Sequence, residues 1–132
     1  MVNVLCVSHE WNLGFEELRE LSNAGYRVIP ACCGVEAVKK FATHEIGAVI
    51  VNRRLDDIDV AELVSYFRNH DQDIPVVMIS SVMPLPSAPK SVDAIVQKYS
   101  CASLLVPTLD VLQSTRLPRK TAEEGESWSQ AA

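Results

Sequence analysis

Ala48-Val49-Ile50-Val51-Asn52-Arg53-Arg54-Leu55-Asp56-Asp57-Ile58-Asp59 is the stretch that decides the fold. Ala48–Asn52 is apolar up to its last residue, and so short and continuous an apolar run reads as a strand buried on both faces. A charged loop follows, Arg53 to Asp59, whose Asp56 and Asp57 read as solvated. Asp59 and Glu62 form a D-x-x-E capping pair opening a helix that bears Leu63, Val64 and Phe67. Strand, loop and helix in this order are the repeating unit of an α/β protein.

The unit recurs on both sides. Toward the N-terminus, Val2–Val7 is a second buried strand. Asn12 is placed to cap a helix with Glu16 and Glu17 in its first turn and Phe15, Leu18 and Leu21 on one face, stopped by Gly25. Tyr26–Ala31 is another strand, and Pro30 within it removes a ladder hydrogen bond, which places it at a sheet edge. The Val35, Val38, Phe41 spacing makes Gly34–Thr43 helical. Toward the C-terminus, Ile74–Ser80 and Val92–Val96 are the fourth and fifth strands. Between them Ser81–Ser91 holds Pro84, Pro86 and Pro89, room for no more than a short helical turn. A last helix runs from about Ala102 to Ser114, with Leu104, Leu105, Leu109 and Leu112 toward the core and Pro107 costing one backbone bond. Residues 1–115 form one domain, and 116–132 read as a polar tail with a single Trp128, either disordered or a docking residue.

Composition narrows what such a domain does. The chain has 132 residues, 48% hydrophobic and 22% charged, enough for one ordinary core. A net charge of −5 argues against a nucleic-acid groove, which needs clustered Lys and Arg. No apolar run approaches the roughly 20 residues of a membrane span, and the N-terminus lacks the pattern of a signal peptide. A cytoplasmic protein without nucleic-acid or membrane partners is expected. Cys6, Cys32, Cys33 and Cys101 show no C-x-x-C pair, and His9, His44 and His70 are scattered. The cysteines read most simply as small buried hydrophobes, and no zinc site is expected. No G-x-G-x-x-G or G-x-x-x-x-G-K-[ST] loop is present, which makes nucleotide binding the weakest candidate function.

Open parallel sheets bind beyond the carboxyl ends of their strands. The residues there are Ser8-His9-Glu10, Asn52, Ser80 and Lys98. Val4-Leu5-Cys6-Val7-Ser8-His9-Glu10 resembles the first strand and acidic pocket of a bacterial response-regulator receiver domain. Val49-Ile50-Val51-Asn52 is similar to its third strand, with Asn52 at the phosphoacceptor position, and the loop to Asp59 continues the likeness. Ile74–Ser81 resembles the fourth strand with a switch hydroxyl, here Ser80, and Val92–Lys98 the fifth with its Lys. The resemblance implies a flavodoxin-like, doubly wound five-stranded parallel sheet of order 2-1-3-4-5; the family's fourth helix is expected to be shortened here, a departure that follows from the short, proline-broken segment between the fourth and fifth strands.

The departures from that family bear on function. A carboxamide is not a phosphoryl nucleophile, so Asn52 is not expected to accept phosphate. Ser8 and His9 stand where the resemblance implies acids, leaving Glu10 alone to attract Mg²⁺. Lys98 is then within reach of Glu10 or of the Asn52 carbonyl. The expectation is a degenerate receiver in two-component signalling, not an enzyme and without a cofactor. It would bind a histidine kinase, another response regulator or a second copy of itself. The surface expected to do so includes Val82, Met83, Leu85, Ala94, Val96 and Trp128. The alternative is a phosphoacceptor that uses Mg²⁺ and a non-standard carboxylate, Glu10 or a loop Asp.

Overall fold

The structure, a computed structural model, describes residues 2–8, 15–81, 91–98 and 101–115. Five parallel strands, β1 (Val2–Val7), β2 (Tyr26–Ala31), β3 (Ala48–Asn52), β4 (Val76–Ser80) and β5 (Ala94–Gln97), lie in the order β2-β1-β3-β4-β5. Among the described residues four helices connect or follow them: α1 (Phe15–Asn23), α2 (Gly34–Thr43), α3 (Val60–His70) and α4 (Cys101–Thr115). β2 pairs only with β1, so Pro30 sits on an edge where its missing N–H breaks no interior ladder. The shortened helix expected between the last two strands falls on residues outside those described.

Because side chains alternate across a strand, each central strand feeds two cores. Leu5 and Val7, Val49 and Val51, and Val76 and Met78 face one way, meeting Ala37 of α2 and Leu63, Val64 and Phe67 of α3. Val4 and Cys6, Ala48 and Ile50, and Val77 and Ile79 face the other, meeting Leu21 of α1 and Leu105 and Leu109 of α4. This two-sided burial is why the strands read as unbroken apolar runs.

The helices depart from their predicted faces by one residue. Val35 is 58% exposed, because α2 approaches the sheet through Gly34 and Ala37, with Val38 and Phe41 beside them. Leu104 is 48% exposed, because Leu105, Leu109 and Leu112 already make an i, i+4, i+7 face. Helix α4 continues through Pro107. Its turn to the edge is fastened where the Tyr26 hydroxyl donates to Asp110 Oδ1 at 2.6 Å, and burial followed by that carboxylate raises the tyrosine pKa.

β5 begins two residues later than expected, at Ala94. The Asp93 carboxylate takes the Val76 N–H at 2.8 Å while its own N–H donates to the Val76 carbonyl at 2.9 Å. The same Oδ2 pairs with Arg68 of α3 at 2.8 Å. A side chain thus starts the β4–β5 edge before the backbone ladder does.

Candidate functional site

Register fixes the candidate edge. Val7 lies opposite Val51, so Ser8 and Asn52 end neighbouring strands. Asn52 lies opposite Ile79, and the Arg53 N–H donates to the Ile79 carbonyl at 2.9 Å, carrying the β3–β4 pairing one residue past the strand. Ser80 lies opposite Gln97, and Lys98 follows directly. The topology therefore brings Ser8, Asn52, Ser80 and Lys98 to one end of the sheet. Ser80 is fully buried, whereas Ser8, Asn52 and Lys98 are partly exposed.

Asn52 Nδ2 donates to the Arg54 carbonyl at 3.3 Å, tying the strand end to its own loop. An amide can make this bond where a carboxylate cannot. A carboxylate has no N–H and would set two acceptors against each other. The described donors at this edge, a hydroxyl at Ser8 and an amide at Asn52, do not fit Mg²⁺, a hard cation that selects carboxylate oxygens. Among the described residues no group of three His, Cys, Asp or Glu is placed to hold a metal ion. His9, Glu10, Val82, Met83, Leu85 and Trp128 lie outside the described residues. Of the remaining surface candidates, Ala94 is half-buried, and Val96 turns inward and is 3% exposed.

The loop after Asn52 holds a contact that the sequence conceals. Asp57 is not merely solvated, since its two oxygens accept the N–H groups of Gly34 and Val35, each at 2.9 Å. These are orphan donors at the start of α2, and they hold the Asp57 carboxyl below its usual pKa. Asp59, read as the cap of α3, makes no side-chain cap bond, although its carbonyl accepts from Leu63 N–H at 3.1 Å. The α2 cap comes instead from Cys33, whose Sγ accepts the Glu36 N–H at 3.5 Å, while Glu36 Oε1 accepts the Cys32 N–H at 2.6 Å. Cys33-x-x-Glu36 resembles a capping box, with sulfur in the place of a hydroxyl and the Glu36 carboxylate on the N–H of Cys32, one residue before the cap, and that spacing was the signal available in the sequence.

Gly34 completes the clasp. A Cβ there would overlap Ile58 Cγ2 and stand 3.2 Å from Asp57 Oδ1. Gly34→Ala is expected to lower stability by about 1–3 kcal/mol, read from the urea midpoint. A loss under about 0.5 kcal/mol would show that the loop yields freely.

No family model matches the chain. It is 31% identical over 80 residues to the probable transcriptional regulator ycf27 of Cyanidium caldarium, covering 61% of this chain and 32% of that protein. The chain therefore spans about a third of the length of that curated relative. Among solved structures it resembles response regulator protein TrrA of Thermotoga maritima in complex with Mg²⁺–BeF (TM-score 0.72, 25% identity, 85% of this chain and 99% of that one). TrrA is also seen in complex with the histidine kinase ThkA, where the likeness is 24% identity and TM-score 0.71 over 85% of this chain and 98% of that one. A two-component response regulator from Clostridium difficile superposes with TM-score 0.76 at 18% identity, over 87% of this chain and 98% of that one.

Proposed function

We propose that this chain is a receiver domain of the response-regulator kind, a reading supported by its fold and its likeness to TrrA, and that it signals by binding another protein without being phosphorylated at the usual position. The observation that carries the reading is the Asn52 side chain. It occupies the phosphoacceptor position as an amide and spends its N–H on the Arg54 carbonyl. An amide nitrogen in resonance with its carbonyl offers no lone pair to phosphorus, and its oxygen lacks the charge of a carboxylate. Asn52 is thus a structural tie, and the edge needs no resident Mg²⁺.

The class of partner follows from the company receivers keep. TrrA is found with a histidine kinase, and a histidine kinase, another response regulator or a second copy of this chain fits the same role here. The domain then works as a binding module, in the cytoplasm where such partners present their signalling domains.

The test is incubation with acetyl phosphate and Mg²⁺, followed by intact mass and peptide mapping. A receiver bearing Asp at the acceptor position serves as the positive control. The expected result is no phosphoryl adduct, together with no saturable amide shift at Asn52, Ser80 or Lys98 on adding Mg²⁺ and beryllofluoride. A stoichiometric adduct on Glu10 or a loop Asp would overturn the proposal and establish a phosphoacceptor using a non-standard carboxylate.

A further inference from the structure

The loop after Asn52 is a strap with two fastenings. Asn52 Nδ2 holds the near end through the Arg54 carbonyl, and the Asp57 carboxylate holds the far end on the Gly34 and Val35 N–H groups, each at 2.9 Å. Leu55 and Asp56 alone lie between Arg54 and Asp57. Beside the carboxylate, Ile58 Cγ2 fills the place that a Gly34 Cβ would need, so the far end meets α2 through one polar and one apolar contact. Asp57 is itself exposed, and water reaches the polar contact. The adjoining turn is open as well. Its cysteines do not share the burial that the sequence suggests, since Cys32 is exposed and Cys33 half-buried, whereas Cys6 is buried.

We propose that Asp57 is the release point of this strap: ionised, its carboxylate holds the loop on α2, and neutralised, it frees the loop and disturbs the Asn52 tie. Two acceptor oxygens meet two donors that have no partner within their own helix. Protonation turns one of those oxygens into a donor, which faces an N–H and leaves one amide without an acceptor. From Arg54 to Asp57 is three Cα–Cα steps, at most about 11 Å. So short a strap passes a movement at one end to the other. That the edge at Asn52 meets a partner rests on the function proposed above; the release does not.

The Gly34 N–H and then the Val35 N–H favour the charged form and hold the Asp57 carboxyl below its usual 3.8. The strap is therefore fully fastened above pH 3.8 and opens as pH falls through the lower, folded value. The titratable and charged groups on the segments that meet here are Cys32, Cys33 and Glu36 on the α2 side, Arg53, Arg54, Asp56 and Asp59 on the loop, and Glu62 on α3. Glu36 would imitate the response, because the Cys32 N–H holds its carboxyl low too.

The experiment follows Gly34, Val35 and the Asn52 side chain by NMR in the full chain as pH falls from neutral. It then compares Asp57→Asn and Asp57→Ala at neutral pH, where acid does not challenge the fold. In the first series the two amides should move together with a midpoint below pH 3.8, the Asn52 side-chain N–H signals should move with them, and Glu36→Gln should keep that midpoint. In the second, hydrogen exchange should quicken about tenfold at one of the two amides in Asp57→Asn and at both in Asp57→Ala. The exposure of Asp57 lets both variants fold, and their remaining amide signals check this. Unchanged exchange at Gly34 and Val35 in Asp57→Ala, or a midpoint that vanishes in Glu36→Gln, would overturn the proposal. So would faster exchange with the Asn52 signals unmoved, since the strap would then have one independent end. A phosphoryl adduct formed with acetyl phosphate would refute the function proposed above and leave each of these readings in place.

Discussion

Phe67→Ala is expected to remove about 3–5 kcal/mol of stability, the usual loss when a fully buried phenylalanine becomes alanine. Phe67 is 0% exposed and sits where α3 meets the sheet and α2. Its ring lies 4.8 Å from that of Phe41 and 5.9 Å from that of Tyr66, and Phe41 in turn meets the Tyr66 ring at 6.0 Å. Truncation therefore leaves a cavity and also removes the ring on which Phe41 and Tyr66 pack. Sheet residues such as Leu5, Val49 and Met78 are fixed by two neighbouring strands and move little to fill it. Set against the 5–15 kcal/mol typical of a whole domain, the loss is a large share of the total stability. Urea denaturation followed by circular dichroism measures it, with Phe67→Leu as the control expected to recover most of the loss. A loss below about 1 kcal/mol would mean that α3 collapses onto the sheet to fill the space, contrary to a close-packed interior.

The sequence showed α3 and its phenylalanine plainly, and the reason is physical. Leu63, Val64 and Phe67 are large, and large apolar residues at helical spacing mark the inward face. Where the inward face is made of small residues the pattern misleads. Gly34 and Ala37 bring α2 onto the sheet yet carry almost no hydrophobic signal, so Val35 looked like the face and proved exposed. The strands were legible for the opposite reason, since burial on both sides leaves no polar residue to interrupt Val4–Val7 or Val49–Val51. Of the candidate edge, Asn52 and Ser80 are the last residues of their apolar runs, which is how a strand end announces itself. The clasp was not legible. Asp57 holds the start of a helix more than twenty positions earlier in the chain, a contact with no local trace, whereas Asp59 beside it stands at the N-cap of α3, as its spacing predicts, but without a side-chain bond. Likewise nothing near Asp93 predicts that its carboxylate will open the β4–β5 edge and pair with Arg68.

Stability is expected to fall steeply in alkali, beginning near pH 9. Burial pushes the Cys6 thiol from 9.0 up to about 12, and Tyr26 is raised from 10.0 by burial and then by its hydrogen bond to Asp110. For both groups the folded state holds the proton more tightly than the unfolded chain. Below pH 9 both groups are protonated in either state, so their contribution is fully present. Above it the unfolded chain sheds the thiol proton first, then the phenolic one, while the folded chain keeps both. The difference grows until pH passes the folded values. At about 1.4 kcal/mol per unit, the Cys6 shift alone amounts to a loss of roughly 4 kcal/mol by the time pH reaches its folded value. Urea midpoints between pH 8 and 12 read this directly, with Cys32→Ser as the background so that the raised surface thiol does not contribute. In that background Cys6→Ala is less stable at pH 8, because it leaves a small cavity between β1 and the α1–α4 layer. Its curve should nevertheless run flat from pH 9 to 10, where only Cys6 distinguishes the two proteins, and then fall with Tyr26. Parallel curves for the two proteins would show that water reaches Cys6, and that the second core is not closed around β1.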